Sequence, residues 1–473
     1  MLFLCSRSRV IQRRFMSIYA LGEGWTGALG GAHLNASIPG HDDEDVEDLV
    51  QEPLLIYKGK VQKVSTGWGH TLLIDDKGQL QVIGRPHDFQ TLLRLRRLPQ
   101  LLRQFSSENL FHRKEGFVSW LIGVVVGGFE GSSGAWDSAK KYSSVFDFTP
   151  MSLPDDVLPV DIRAGAGLSA VIGNNGTLYT FGLNSRGQCG TGLWSHNEWD
   201  PKMVLGLTTL GDSSLPPANP MQQVALGLQF GIALNNKGHV FSWGKGNRGQ
   251  LGIKMDEYES NESARWISRI HDSLDQQDNP RERNFKATLI DTGLHHSAML
   301  LEDNRVYIWG KFQSPLFPDS KPGKPSEDAN FPIPVHGLPD LKIIDLQCGS
   351  HHTSLLMEDG SIWAFGLATD NTKPIHTPVQ LCAAGIVQLP VRHFEAHFDR
   401  TTVVDANHAV FQMNLWDNPE LQEYAVFSPT WLDLFSDKRI ESVHRGWLHT
   451  LVVTSDDDDD DDDDDKKPPK QSN

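Results

Sequence analysis

Cysteine is scarce in this 473-residue chain: Cys5, Cys189, Cys348 and Cys382 lie far apart, with no CxxC pair. A disulfide framework is therefore excluded, as is a zinc site recognisable from cysteine spacing, and free thiols in a reducing compartment are expected. No apolar run reaches the roughly 18 residues that cross a bilayer as a helix, so a polytopic helical membrane protein is excluded. There is no G-x-S-x-G, no HExxH, and no glycine loop followed by Lys-Ser/Thr. The chain thus offers no nucleophile elbow, no zincin helix and no Walker-type phosphate site. Positive charge is also short, with 43 Lys and Arg against 60 Asp and Glu and a formal net charge of -17.

That charge is unevenly spread. Ten Asp and three Lys in residues 456–473 contribute -7, while four Arg and no acid in residues 1–16 contribute +4, leaving -14 on the remainder. An acidic body disfavours non-specific adhesion to phosphate backbones, so any nucleic-acid contact needs a local basic patch. The unbroken run Asp456 to Asp465 repels itself and cannot bury, which predicts a disordered tail over 456–473. At the other end, Arg7, Arg9, Arg13 and Arg14 are interspersed with Leu4, Ile11 and Phe15. This is the composition of a mitochondrial presequence over residues 1–16, with the mature chain starting near Ser17 and residing in the matrix or on the matrix face of the inner membrane.

Self-similarity dominates what lies between. One pattern recurs from Gly67, Gly165, Gly227, Gly293 and Gly349: a glycine, an apolar stretch, a turn residue 11 positions on, and an aliphatic-aromatic strand ending in Gly 17 positions on. Period-two alternation around a tight turn predicts a β-hairpin in each copy. A sixth, degenerate copy runs from His397 through Arg400 and Asn407 to Val410 and Phe411. The seventh is split: Gly446-WLHTLVVTS supplies one strand, and Ile18-Tyr19-Ala20-Leu21-Gly22 matches the missing partner. Joining the two termini in one sheet closes a ring and leaves no exposed edge. The fold class expected is all-β, a seven-bladed β-propeller over residues 17–455 closed by an N-terminal strand, with insertions at about 85–150 and 254–286. A second motif, in Gly22-EGWTGALG, Gly182-LNSRGQCG and Gly244-KGNRGQLG, follows the hairpin in some blades.

Taken together, the glycine-histidine strand, the Trp-Gly strand and the Gly-Gln-Leu-Gly turn resemble the regulator-of-chromosome-condensation repeat family. The resemblance covers about residues 18–455. It implies a non-catalytic propeller that acts by binding. Its founding nuclear member is a guanine-nucleotide exchange factor, and other members look like assembly factors that engage ribosomal or respiratory-chain components.

His70, His296, His352 and His449 share one register in four blades. Equivalent positions in a ring stand on different blades, so hydrogen bonding of each imidazole to nearby backbone is expected, and no shared metal site. The cluster Val124-VVGGFEGSSG has neither Walker nor dinucleotide spacing and is expected to be a loop. No catalytic residue, cofactor or metal ligand is expected.

Function is expected in the insertions, because loops vary on a rigid frame. The interval between the first two anchor glycines holds about fifty additional residues. Within it, Arg94, Arg96, Arg97, Arg103, Arg113 and Lys114 alternate with leucines as a basic amphipathic element. The thirteen mostly apolar residues 117–129 that follow contain Trp120. Arg94, Arg96, Arg97, Arg103, Arg113, Lys114 and Trp120 are the candidate membrane or RNA contacts, with burial of 117–129 as a strand or helix the alternative to interfacial attachment. The insertion 254–286 is expected to be a solvated loop with a short helix. The function expected is that of a monomeric mitochondrial scaffold, an assembly factor for the ribosome or a respiratory complex with protein and possible rRNA partners. The alternative is an exchange factor for a small or dynamin-like GTPase.

Overall fold

Each repeat folds as a hairpin because its apolar residues alternate on either side of a residue that tolerates the left-handed conformation. The computed structural model describes residues 15–22, 53–84, 148–207, 219–254, 260–270, 281–282, 285–311, 329–367, 374–398, 400–414, 426–427, 429–446 and 449–455. At the hairpin turns, Gly78, Gly176, Gly238 and Gly360 have φ between +75° and +84°, and Asn304 has φ 69°. In the degenerate sixth copy the left-handed residue is His408, at φ 64°, one position beyond Asn407. Asp405 makes this tolerable by accepting hydrogen bonds from the amides of Asn407 (2.8 Å) and Ala409 (2.9 Å), as the Asn235 side chain does for Lys237 and His239 in the third repeat.

Among the described residues the hairpins build five four-stranded sheets and one seven-stranded sheet. The larger sheet is two blades sharing the strand Leu54–Thr66. Its first half pairs with Phe15–Gly22 as the outermost strand of the last blade, and its second half pairs with His70–Asp75 as the innermost strand of the first. Counting that shared strand once, seven innermost strands follow one another round a closed ring. They are Leu54–Thr66, Pro159–Ala164, Met221–Leu226, Ala287–Thr292, Ile343–Cys348, His393–His397 and Arg439–Arg445, the last lying beside the first.

The terminal strand Phe15–Gly22 closes this ring. It lies antiparallel to His449–Ser455, with Ile18 opposite Val453, Tyr19 opposite Val452 and Leu21 opposite Thr450. It begins at Phe15, two residues ahead of the expected propeller start at 17, and Met16 is only 1% exposed.

The second strand of a blade is covered on both faces by its neighbours, which is why Leu168–Gly173, Phe230–Asn235 and His296–Leu301 are buried throughout. The repeats without a Gly-Gln-Leu-Gly turn still carry outer strands, Thr149–Met151, Ala329–Pro334, Pro374–Cys382 and Val426–Phe427. The insertion 254–286 departs from expectation. Ser260–Trp266 is the outer strand of its blade, Arg269–Ile270 pairs with Arg281–Glu282, and there is no helix among its described residues. Asn261 pairs with Gly244 of Val240–Lys245, and the amide of buried Ala264 donates to the Leu205 carbonyl of the preceding blade (2.8 Å).

The Trp-Gly strand and the Gly-Gln turn act together across blades. Trp243 Nε1 donates to the Gln188 carbonyl of the preceding blade (2.8 Å), and Trp309 Nε1 donates to that of Gln250 (2.9 Å). The Gln250 carbonyl also accepts from the Ser297 hydroxyl (3.0 Å). Gly231 occupies the position equivalent to Ser297, and a Cβ there would meet the Trp243 ring at 2.5 Å. Trp243→Phe is therefore expected to cost about 1–3 kcal/mol, and Trp309→Phe less, since Ser297 continues to satisfy its carbonyl. Urea unfolding of the two variants checks the order.

Candidate functional site

The four histidines in common register prove to be ties between blades. His70 Nε2 lies 2.8 Å from Ser169 Oγ, His296 Nε2 3.2 Å from Thr353 Oγ1, and His352 Nε2 3.4 Å from Thr401 Oγ1. Each partner is the hydroxyl residue one place along in the next blade, a side-chain tie added to the backbone bonding expected, which His296 also makes, to the backbone of His352. The ring points out of its own sheet, stacked over the anchor glycine. A Cβ on Gly349 would meet His352 Cε1 at 2.0 Å, which explains the Gly-x-x-His spacing. The tie is missing where the ring closes: both His449 nitrogens and Thr71 Oγ1 are buried without a hydrogen-bond partner. Burial pushes the His296 and His449 imidazoles down to about 3, so both are neutral.

The innermost strands enclose a central cavity of about 680 Å³. Its wall is charged because these strands alternate, apolar residues facing the sheet stack and polar ones the opening. Two and four positions ahead of the anchors stand Ser65 and Lys63, Arg163 and Asp161, Glu395 and His393, and His444 and Ser442. Several pin one blade to another: Lys63 pairs with Asp161 at 2.7 Å, and Arg163 reaches Asp291 at 3.7 Å. Gln223 Oε1 and Asp291 Oδ2 accept hydrogen bonds from the amides of Ile290 (2.8 Å) and Cys348 (2.7 Å) in the following blades.

The densest polar group is where the sixth and seventh blades meet. Glu395 Oε2 lies 3.0 Å from His393 Nε2 and 3.4 Å from His444 Nδ1, and His444 Nε2 lies 3.0 Å from Ser442 Oγ. Burial opposes ionisation of Glu395, yet hydrogen bonds from His393 and His444 outweigh it and hold the carboxyl well below its usual range. Burial also lowers the His444 imidazole, against the pull of Glu395. Beside them Arg392 is tied to Glu441 at 2.9 Å. Polar residues at both two and four places before five of the seven anchors were the signal in the sequence that could have found this group.

Strand direction sorts the loops onto two faces. Chain leaving Gly84 and returning at Phe148 does so on the face that carries Trp68, Lys245, Arg248 and Lys311. That face also presents Leu193 and Trp194, which are 65% and 54% exposed. Asn184 Nδ2 anchors their loop by donating to the Leu193 carbonyl (2.9 Å) and to Ser195 Oγ (3.0 Å). Phe15 and Ser455 lie at the opposite face. Arg94, Arg96, Arg97, Arg103, Arg113, Lys114 and Trp120, the apolar stretch 117–129 and the glycine cluster after Val124 all lie outside the described residues. Among the described residues no helix is long and apolar enough to cross a membrane.

Comparison with known proteins agrees with this architecture. The regulator of chromosome condensation (RCC1) repeat matches residues 175–234 and 237–300. The chain is 27% identical over 212 residues to the probable E3 ubiquitin-protein ligase HERC6 of Homo sapiens, covering 45% of this chain and 18% of that protein. It is 25% identical over 280 residues to protein pim1 of Schizosaccharomyces pombe, covering 56% of this chain and 47% of that protein. The chain thus matches less than a fifth of the ligase and under half of pim1. Human WBSCR16 superposes with a TM-score of 0.62 at 17% identity, covering 93% of this chain and 99% of that one. Prp20p from Saccharomyces cerevisiae, whose crystal structure was described with its binding properties to Gsp1p and histones, superposes at 0.61 and 17% identity, covering 96% and 94%. At such identities the likeness speaks for the fold.

Proposed function

We propose that this chain, a regulator-of-chromosome-condensation repeat protein, is a non-catalytic mitochondrial scaffold that docks a protein partner on the face where the first insertion is rooted. The observation that carries this reading is the exposed pair Leu193 and Trp194 on that face. A solvent-facing tryptophan beside a leucine, held on a hydrogen-bonded loop of a rigid ring, is the kind of anchor that dominates protein interfaces. Lys245, Arg248 and Lys311 on the same face favour an acidic partner surface or exposed rRNA phosphate. The arginine-rich start of the chain supports mitochondrial import, and assembly of the ribosome or of a respiratory complex is the role that suits a binding ring there.

The test begins with a full-length chain tagged at its C-terminus, purified from mitochondria with its partners and identified by mass spectrometry. Co-sedimentation with the large ribosomal subunit, or loss of one respiratory complex on deletion, supports assembly. Accelerated nucleotide release from a co-purifying GTPase supports exchange instead, in which the ring would bind the nucleotide-free form more tightly than the loaded one. Once a partner is in hand, Trp194→Asp is expected to weaken its binding about 30-fold or more while leaving the melting temperature unchanged, because the side chain is exposed. Unchanged affinity in that variant would remove this face from the reading.

A further inference from the structure

We propose that His393, Glu395 and His444 form a three-ligand site for a divalent transition-metal ion of the zinc class, open to the central cavity. The inference is independent of partner docking. One ligand atom from each of His393, Glu395 and His444 lies within 4.8 Å of the other two. Bonds of about 2.0–2.2 Å to a tetrahedral ion place ligand atoms roughly 3.3 Å apart. Two of the three separations, 3.0 and 3.4 Å, already match. Bringing the two imidazole nitrogens together takes a movement of at most about 1.5 Å, within reach of a side-chain rotation.

The backbone that holds them is fixed. His393 and Glu395 are two apart on one innermost strand and so face the same way, and His444 stands on the neighbouring innermost strand. His444 presents Nδ1 to the group while Nε2 is engaged by Ser442 Oγ at 3.0 Å, the outer hydrogen bond that orients a metal-bound imidazole. The nearby guanidinium of Arg392 is occupied by Glu441 at 2.9 Å and does not compete for Glu395. Two imidazole nitrogens and one carboxylate oxygen suit zinc, nickel, copper or ferrous iron and not magnesium or calcium. Three protein ligands facing a cavity of about 680 Å³ leave the fourth position to water or to a group brought by a ligand. These residues are distinct from the histidines in hairpin register, which stand apart on separate blades and carry no such site.

The full-length protein, stripped with chelator and dialysed, is titrated with Zn²⁺ by calorimetry and with Co²⁺ by visible absorption. One equivalent is expected to bind at the cavity, giving the intense d–d bands of four-coordinate cobalt and a raised melting temperature. Glu395→Gln and His393→Ala are expected to lose this equivalent, and Ser442→Ala, which removes no ligand, to weaken it about 10–100-fold. Circular dichroism establishes that each variant is folded, and Glu395→Gln preserves the shape of the side chain should His393→Ala disturb it. Absence of stoichiometric binding overturns the proposal. So does binding of equal strength in wild type and variants, which would assign the metal to the Asp456–Asp465 run or to other histidines.

Discussion

Deleting residues 15–22 is expected to abolish folding of the whole ring, and Ile18→Asp to do nearly the same. This strand is interior to its sheet, hydrogen-bonded to His449–Ser455 on one side and to Leu54–Lys60 on the other. Its alternation serves two blades at once. Met16, Ile18 and Ala20 pack with Val61, Val64, Leu73, Leu451 and Val453, while Leu21 packs with Val404, Val410, Phe435 and Val452. Without it both neighbours become exposed apolar edges, and the first and last blades lose the strand through which they are joined. Ile18 is fully buried, so Ile18→Ala alone is expected to cost about 2–5 kcal/mol in urea or thermal unfolding. A permuted chain is the decisive comparison. Met16 lies opposite Ser455 as in a hairpin, so a chain starting at residue 53, with a short turn from Ser455 into 15–22, is expected to melt like the parent. Removal of residues 1–14 is expected to leave stability unchanged. A chain lacking 15–22 that melts like wild type would mean that the terminal strand does not close the ring.

The closure could be read from the chain because it depends on local pattern. Ile18 to Gly22 repeats the aliphatic-aromatic-Gly signature of the third strand, and Gly446 repeats the anchor, so each half announced the other. Turn positions were legible for the same reason, since left-handed backbone favours Gly or Asn. His408 stands 11 positions after His397, the register that the other copies give to Gly or Asn, and hydrogen bonds to Asp405 hold its left-handed turn. The outer strand Ser260–Trp266 was hidden by its mixed charge: only Asn261 and Ala264 are buried, too few to show alternation. The His-to-hydroxyl ties were hidden differently. Both members stand as adjacent residues in the repeats anchored at Gly67, Gly293, Gly349 and Gly446, but the bond runs from one repeat to the next, and only a ring puts His70 against Ser169. The trio at the cavity combines both difficulties. Its members sit in the least repetitive strand, and a two-residue spacing in one blade meets a third residue from another.

Acidification from pH 7 to 5 is expected to destabilise the protein by about 4 kcal/mol through two histidines. His296 and His449 are 2% and 3% exposed, and burial pushes each imidazole down to about 3 in the folded ring. In the unfolded chain each returns to about 6.5, so below that value the unfolded state takes up protons that the folded state refuses. Their contribution is complete above about pH 6.5 and is lost progressively as pH falls towards 3, at about 2 kcal/mol for each residue at pH 5. Glu395 does not confuse this window, because its carboxyl is held well below the usual range and its contribution fails only in stronger acid. The two histidines differ in what they give back. His296 ties to Thr353, whereas the His449 imidazole makes no hydrogen bond, and Phe230 fills the equivalent slot of another blade, stacked on Gly227 as His449 is on Gly446. His449→Phe is therefore expected to fold, to match or exceed wild type at pH 7, and to reduce the loss on going to pH 5 by about 2 kcal/mol. His296→Phe is expected to flatten the profile equally but to start lower, because the Thr353 tie is gone. Urea unfolding at pH 7, 6 and 5 separates these cases, and an unchanged slope in His449→Phe would show that its imidazole is not held neutral by the fold.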